Sequence, residues 1–134
     1  MQRTTSVSGQ GAPSIFDVKL ERGEPRPFET WCCNDVWRVL EHLQALLATG
    51  QSHILIVGIT VPSGLVAEEA EAAEAAIESL KGLLQSATRE ISPSVLWCGL
   101  VVVDESRPSD SVRAVEYLLS NESRFGAGAT LDVR

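Results

Sequence analysis

Two uninterrupted apolar runs, HILIVGIT (53–60) and SVLWCGLVVV (94–103), limit this chain more than any other feature. A strand with one face in water alternates apolar and polar residues; these runs do not alternate, so both of their faces must be covered. The segments around them carry helical spacing. From Phe28 to Ala48 the residues Val36, Val39, Leu40, Leu43, Leu46 and Leu47 recur at intervals that share one helix face, and Gly50 supplies a stop. After PSG, a second helix places Val66, Ala70, Ala73, Ile77, Leu80 and Leu84 on one stripe and runs to Glu90. DSVRAVEYLLS (110–120) reads as a third helix capped by Asp110 or Ser109. SIFDVKLE (14–21) alternates well enough for a short opening strand, and ATLDVR (129–134) follows the FGAG turn as a closing one.

The order is strand, helix, strand, helix, strand, helix, strand. It predicts an α/β chain: a partial, three-layer Rossmann-like fold of about four parallel strands, with right-handed crossovers and helices on both faces. A length of 134 residues with 44% hydrophobic residues suits one domain, taken as 14–134. Residues 1–13 are polar, small and broken by Gly and Pro, the composition of a flexible tail.

Charge narrows the function classes. Acids outnumber bases 18 to 11, for a formal charge of −7, so a nucleic-acid or anionic-membrane surface is not expected. The apolar runs fall far short of the roughly 20 residues needed to span a bilayer, and MQRTTSVSGQGAPS has no apolar signal core, which predicts a cytoplasmic protein. Cys32, Cys33 and Cys98 are odd in number and lack C-x-x-C spacing, so neither disulfides nor a metal site are expected.

Individual side chains offer weak chemical signals. His42 and His53 have no Cys or carboxylate at nucleophile spacing and read as surface and strand-edge residues. Cys32 and Cys33 sit near a helix start, where the dipole could lower a thiol pKa, but no base accompanies them. Asp104 and Glu105 sit at the carboxyl end of a strand, where open α/β sheets bind ligands, though a solvated loop is the stronger reading. The Ala/Glu stretch LVAEEAEAAEAAIESLKG (65–82) is explained as a strong helix: Glu68, Glu69 and Glu71 favour its N-terminal dipole, and Glu78 pairs with Lys81. Its small residues Ala70, Ala72, Ala73 and Ala76 would let another helix approach closely.

The segment AVEYLLSNESRFGAGATLDVR, with its helix ending in LLS and its GATLDV lead into the last strand, resembles the end of the short-chain dehydrogenase/reductase family. Working backwards, VLWCGLVVV resembles the strand before that family's substrate loop, AAIESLKGLLQSATREISP the helix after its catalytic tyrosine, and WRVLEHLQALLATGQSHILIVGIT the helix and strand leading to its catalytic serine. The resemblance spans about residues 28–134 and implies the C-terminal half of that fold. The family's opening strand, glycine-rich turn and helix, which hold the dinucleotide, have no counterpart: SGQGAPS (8–14) neither follows a strand nor opens a helix.

Placed on the family's Tyr-x-x-x-Lys pair, Ala70 takes the tyrosine position and Glu74 the lysine position. Alanine cannot exchange a proton with substrate, and a carboxylate would raise a neighbouring phenol's pKa and repel an anionic dinucleotide. Thr60 and Ser63 fall near the serine position, and Asn34 near an asparagine that kinks the family's fourth helix and holds a water; each also has a plain structural reading. The family's Pro-Gly after the next strand is missing from VLWCGLVVVDESRPS. The resemblance therefore implies a catalytically inactive member with no cofactor of its own, NAD or NADP entering only through a partner. Members assemble through their fourth and fifth helices and their last helix and strand, which implies a homo-oligomer or a hetero-oligomer with a full-length reductase. Two other expectations stay open: a subunit that completes a partner's oxidoreductase site or a cofactor-free enzyme using Asp104, Glu105 or Thr60, and a fragment of a longer protein, because the family continues past LDV.

Overall fold

The apolar runs become the two inner strands of a parallel sheet. A computed structural model describes residues 13–92, 94–120 and 126–134. It contains β1 (Ser14–Lys19), a π-helix (Phe28–Asp35) that passes directly into α1 (Val36–Ala48), β2 (His53–Val61), α2 (Ala67–Glu90), β3 (Leu96–Asp104), α3 (Pro108–Ser120) and β4 (Ala129–Asp132). The four strands lie in sequence order, all parallel, with β2 and β3 in register from His53–Leu96 to Val61–Asp104. The chain is thus an α/β fold of Rossmann-like type with helices on both faces of a four-stranded sheet.

Each face has its own core. Leu55, Val57, Ile59, Leu96, Cys98, Leu100 and Val102 pack under the π-helix, α1 and α2, meeting Trp31, Val39, Leu43, Ile77, Leu80 and Leu84. Ile54, Ile56, Trp97, Val101 and Val103 point the other way and pack under α3 through Ala114, Val115, Leu118 and Leu119. That division corrects the expectation of uniformly right-handed crossovers. The strands advance in one direction across the sheet while α1 and α2 cover one face and α3 the other, so the third crossover has the opposite hand to the first two. With the strands in this order, three crossovers of one hand would stack every helix on one face and leave Ile54, Ile56, Trp97, Val101 and Val103 in water. Burying five large side chains, each a gain of about 1.5–3 kcal/mol, outweighs the usual preference.

Glycine lets α3 come this close. A Cβ on Gly99 would lie 2.7 Å from Leu118 Cδ2 and 3.2 Å from the Trp97 ring. Leu118 therefore seats directly on the backbone of β3.

Several boundaries and faces differ from expectation. The first helix winds as a π-helix over its first eight residues. Trp31 and Val36, both on the core side, are five residues apart, and the i to i+5 bonding of a π-helix keeps such a pair on one side better than α winding does. On α2 the buried stripe is Ala72, Ala73, Ala76, Ile77, Leu80 and Leu84, whereas Val66 and Ala70 are exposed. Ala67 is the first helical residue, so Val66 stands outside the helix, and the stripe enters through half-buried Glu69. Helix α3 begins at Pro108, a residue suited to a first helical position, so Ser109 and Asp110 lie inside its first turn rather than capping it. Strand β3 starts at Leu96, where pairing with His53 begins, and the N–H groups of Val95 and Leu96 both turn back to the Ser92 carbonyl. Residues 1–12, which carry the expected tail and most of SGQGAPS, lie outside the described residues.

Candidate functional site

In an open parallel sheet the place for chemistry is the carboxyl end of the strands. Here the β2–β3 register brings Val61 beside Asp104 and so sets the PSG loop against the loop after β3. Ser63 Oγ donates to Asp104 Oδ1 at 3.0 Å, and Ser63 N–H donates to Glu105 Oε2 at 2.7 Å. Ser106 adds two more donors to the same Asp104 oxygen, its N–H at 2.9 Å and its hydroxyl at 2.6 Å. These bonds from Ser106, and then from Ser63, hold the Asp104 carboxyl below the usual range. A carboxylate so supplied with donors is a weak base. Thr60, one residue before the end of β2, accepts the Leu20 amide through its carbonyl, extending the β1 ladder.

A second cluster joins α2 to β4. Arg134 Nη1 lies 2.7 Å from Glu74 Oε1 and Nη2 3.5 Å from Oε2, while the same guanidinium donates to both Asp132 oxygens, at 3.1 and 2.8 Å. The Arg134 hydrogen bonds lower the Asp132 pKa. Glu74 is therefore committed to a guanidinium at the outer edge of the sheet. Ala70, one turn earlier, is exposed. Glu69 on the first turn instead receives Val66 N–H at 3.2 Å and Gly23 N–H at 3.1 Å, and the Gly23 bond, followed by that of Val66, lowers its pKa. It thereby fastens the start of α2 to the turn after β1.

Asn34 is an exposed residue inside the π-helical segment. Tyr117, the single tyrosine of the chain, is on α3. It lines a shallow groove of about 450 Å³ with Arg107, Asp110, Arg113, Leu131 and Val133. The sheet lies between α3 and α2, so the phenol cannot reach the Glu74 position. His42 accepts or donates to Ser14 Oγ at 3.1 Å and stacks on Phe16 at 4.8 Å, and His53 meets Thr49 Oγ1 at 2.7 Å. Both histidines tie helix to strand.

Burial works against reactivity at two of the thiols, Cys32 and Cys98. Burial, then the neighbouring Cys33, raises the Cys32 pKa, the opposite of the effect expected from the helix dipole. Cys32 Sγ donates to the Ala72 carbonyl at 3.3 Å, so the close helix approach that the alanines permit is made, at Ala72, by the chain's own π-helix. Burial pushes the Cys98 thiol up to about 11. Among the described residues no group of three or more His, Cys, Asp and Glu side chains is arranged to hold a metal ion, and no helix is long and apolar enough to cross a membrane.

The structure thus distributes the candidate residues. It joins Ser63 to Asp104 and Glu105, sends Glu74 to Arg134, leaves Ala70 and Asn34 exposed, and places Thr60 in the ladder end. Arg134, Ser106 and the Glu69–Gly23 tie escaped sequence reading; only the D-x-R spacing at 132–134 hinted at one of them. No protein-family model, curated protein or solved structure compared with the chain matches it.

Proposed function

We propose that the chain is a catalytically inactive relative of the short-chain dehydrogenases/reductases whose role is assembly, as a regulatory or structural subunit that pairs with itself or with a full-length reductase. The observation that carries this reading is the Glu74 carboxylate, 2.7 Å from the Arg134 guanidinium at the position the resemblance gives to a lysine. A side chain that holds a guanidinium at the sheet edge neither lowers a phenol's pKa nor binds a nicotinamide ribose. Tyr117 on the opposite face and Asp104, whose Oδ1 accepts three hydrogen bonds, point the same way. The departure from α winding across the segment that contains Asn34 supports the resemblance itself. Assembly is supported by large apolar side chains left in water on the family's assembling elements: Phe28 is 61% exposed and Trp37 57%.

Calorimetric titration with NADH and NADPH tests the catalytic half of the reading. No saturable heat is expected, and saturable binding of either by the isolated protein overturns it. Sedimentation and co-purification test the assembly half; a monomer with no co-purifying reductase counts against it.

A further inference from the structure

We propose that two copies of this chain join through their β1 strands, antiparallel about a twofold axis at Val18, into one continuous eight-stranded sheet. The proposal rests on the self-assembly reading above and adds to it a surface apart from Phe28 and Trp37. Strand β1 ends the sheet and pairs only with β2 among the described strands. Leu20 N–H donates to Thr60 O, so the even-numbered residues turn their backbone groups to β2, and Ile15, Asp17 and Lys19 turn theirs outward. Among the described residues nothing pairs with those outward groups, which makes them a template for another strand.

The occupant follows from the charges. Asp17 and Lys19 lie on the same sheet face, are both exposed, and form no ion pair with another described residue. An isologous contact sets each residue i against a fixed partner j and j against i. Centred on Val18, it opposes Asp17 to Lys19 of the second copy twice over, as hydrogen-bonded pairs, with Val18 against Val18 and Phe16 against Leu20 on the other face. Shifting the centre by one residue toward Asp17 sets Asp17 against Asp17; shifting it toward Lys19 sets Lys19 against Lys19. Like charges directly opposed are destabilising, so the charges admit the central register and reject its neighbours. A further shift toward the N-terminus opposes Lys19 to Pro13, which has no N–H to give. A further shift the other way runs into the turn at residues 22–23.

Sedimentation velocity on the full chain tests this with D17K, K19D and the double swap D17K/K19D, all at exposed sites, with circular dichroism to show that each is folded. The wild type is expected to dimerise. Each single variant should associate about tenfold or more weakly, since it opposes two like pairs per interface. The double swap should recover dimerisation, and an equimolar mixture of D17K and K19D, each monomeric alone, should form heterodimers. A dimer indifferent to all three variants overturns the β1 interface and leaves the assembly reading standing through another surface. A monomeric wild type overturns it as well. Slow exchange of the Asp17 and Lys19 amide protons in such a monomer would give the edge to residues of the same chain.

Discussion

Glu74 and Arg134, sixty positions apart, meet in a two-pronged pair that ties the second helix to the last strand. The pair is partly in water, the arginine side chain 27% exposed and the glutamate 56%, so its contribution is modest. Glu74→Ala and Arg134→Ala should each cost about 1 kcal/mol or less, and a double-mutant cycle should give a coupling near 0.5–1 kcal/mol that shrinks in high salt. Chemical denaturation at two ionic strengths measures it. A coupling of zero would mean that the contact is not held in solution.

Glu74→Lys restores the side chain that the family resemblance assigns to this position but sets it against Arg134. It is expected to lower the thermal midpoint by more than Glu74→Gln does and, on the reading proposed above, to create no NADH or NADPH binding, because Ala70 stands where the resemblance puts the tyrosine. Differential scanning fluorimetry with and without each nucleotide decides the point. A nucleotide-dependent rise in midpoint would overturn the proposed inactive reading.

The two strand glycines should respond differently to alanine. At Gly99 the new methyl meets Leu118 and the Trp97 ring inside a closed core, so Gly99→Ala is expected to cost about 1–3 kcal/mol. At Gly58 the single close atom is Asp17 Oδ1, 2.7 Å away, at the end of an exposed side chain free to swing aside. Gly58→Ala should cost less than about 1 kcal/mol. Equal losses at the two sites in urea unfolding would contradict the packing described for α3.

What could be read without the structure was set by hydrophobic pattern. The β2 and β3 runs demanded cover on both faces, and the parallel sheet followed. The face of α2 was harder, because Ala70 and Ala72 are alike as side chains and only the packing of the whole helix buries one and exposes the other. The hand of the third crossover was not legible, since right-handed crossovers and helices on both faces agree when the strand order reverses, and only the structure shows the strands advancing one way. The Ser63–Asp104 contact, 41 residues apart, depends on a β2–β3 register that no local signal states. Arg134 reaching Glu74 needs the whole sheet to be built first.

Cys98 makes alkaline stability a test of burial. Its thiol, fully buried between β3 and α2, is pushed up to about 11 from an ordinary 9.0. The folded value lies above the unfolded one, so the contribution is present in full below pH 9 and is lost as pH rises from there through 11, by up to about 2–3 kcal/mol. Cys98→Ala should be less stable at pH 7, from lost packing, yet fall less steeply between pH 9 and 11. Parallel curves for the two proteins would mean that the thiol does not stay protonated in the fold.

The acid limb should carry the mark of Asp104. Three donors from Ser63 and Ser106 depress its pKa, so its contribution is present above the ordinary carboxylate value and disappears as pH falls through the lower folded value. Ser63→Ala removes one donor and returns the carboxyl part of the way toward its ordinary value. The variant should therefore be less stable than wild type at pH 7, and the gap should close as pH falls from about 4 through the lower folded value of the wild type, below which both proteins hold the proton. The same substitution takes no hydrogen-bond partner from Glu105, which is held by the Ser63 backbone. If the gap between the two unfolding curves is constant from pH 7 to pH 2, the Ser63 hydroxyl does not donate to an ionised Asp104, and the loops after β2 and β3 are fastened by their backbone bonds alone.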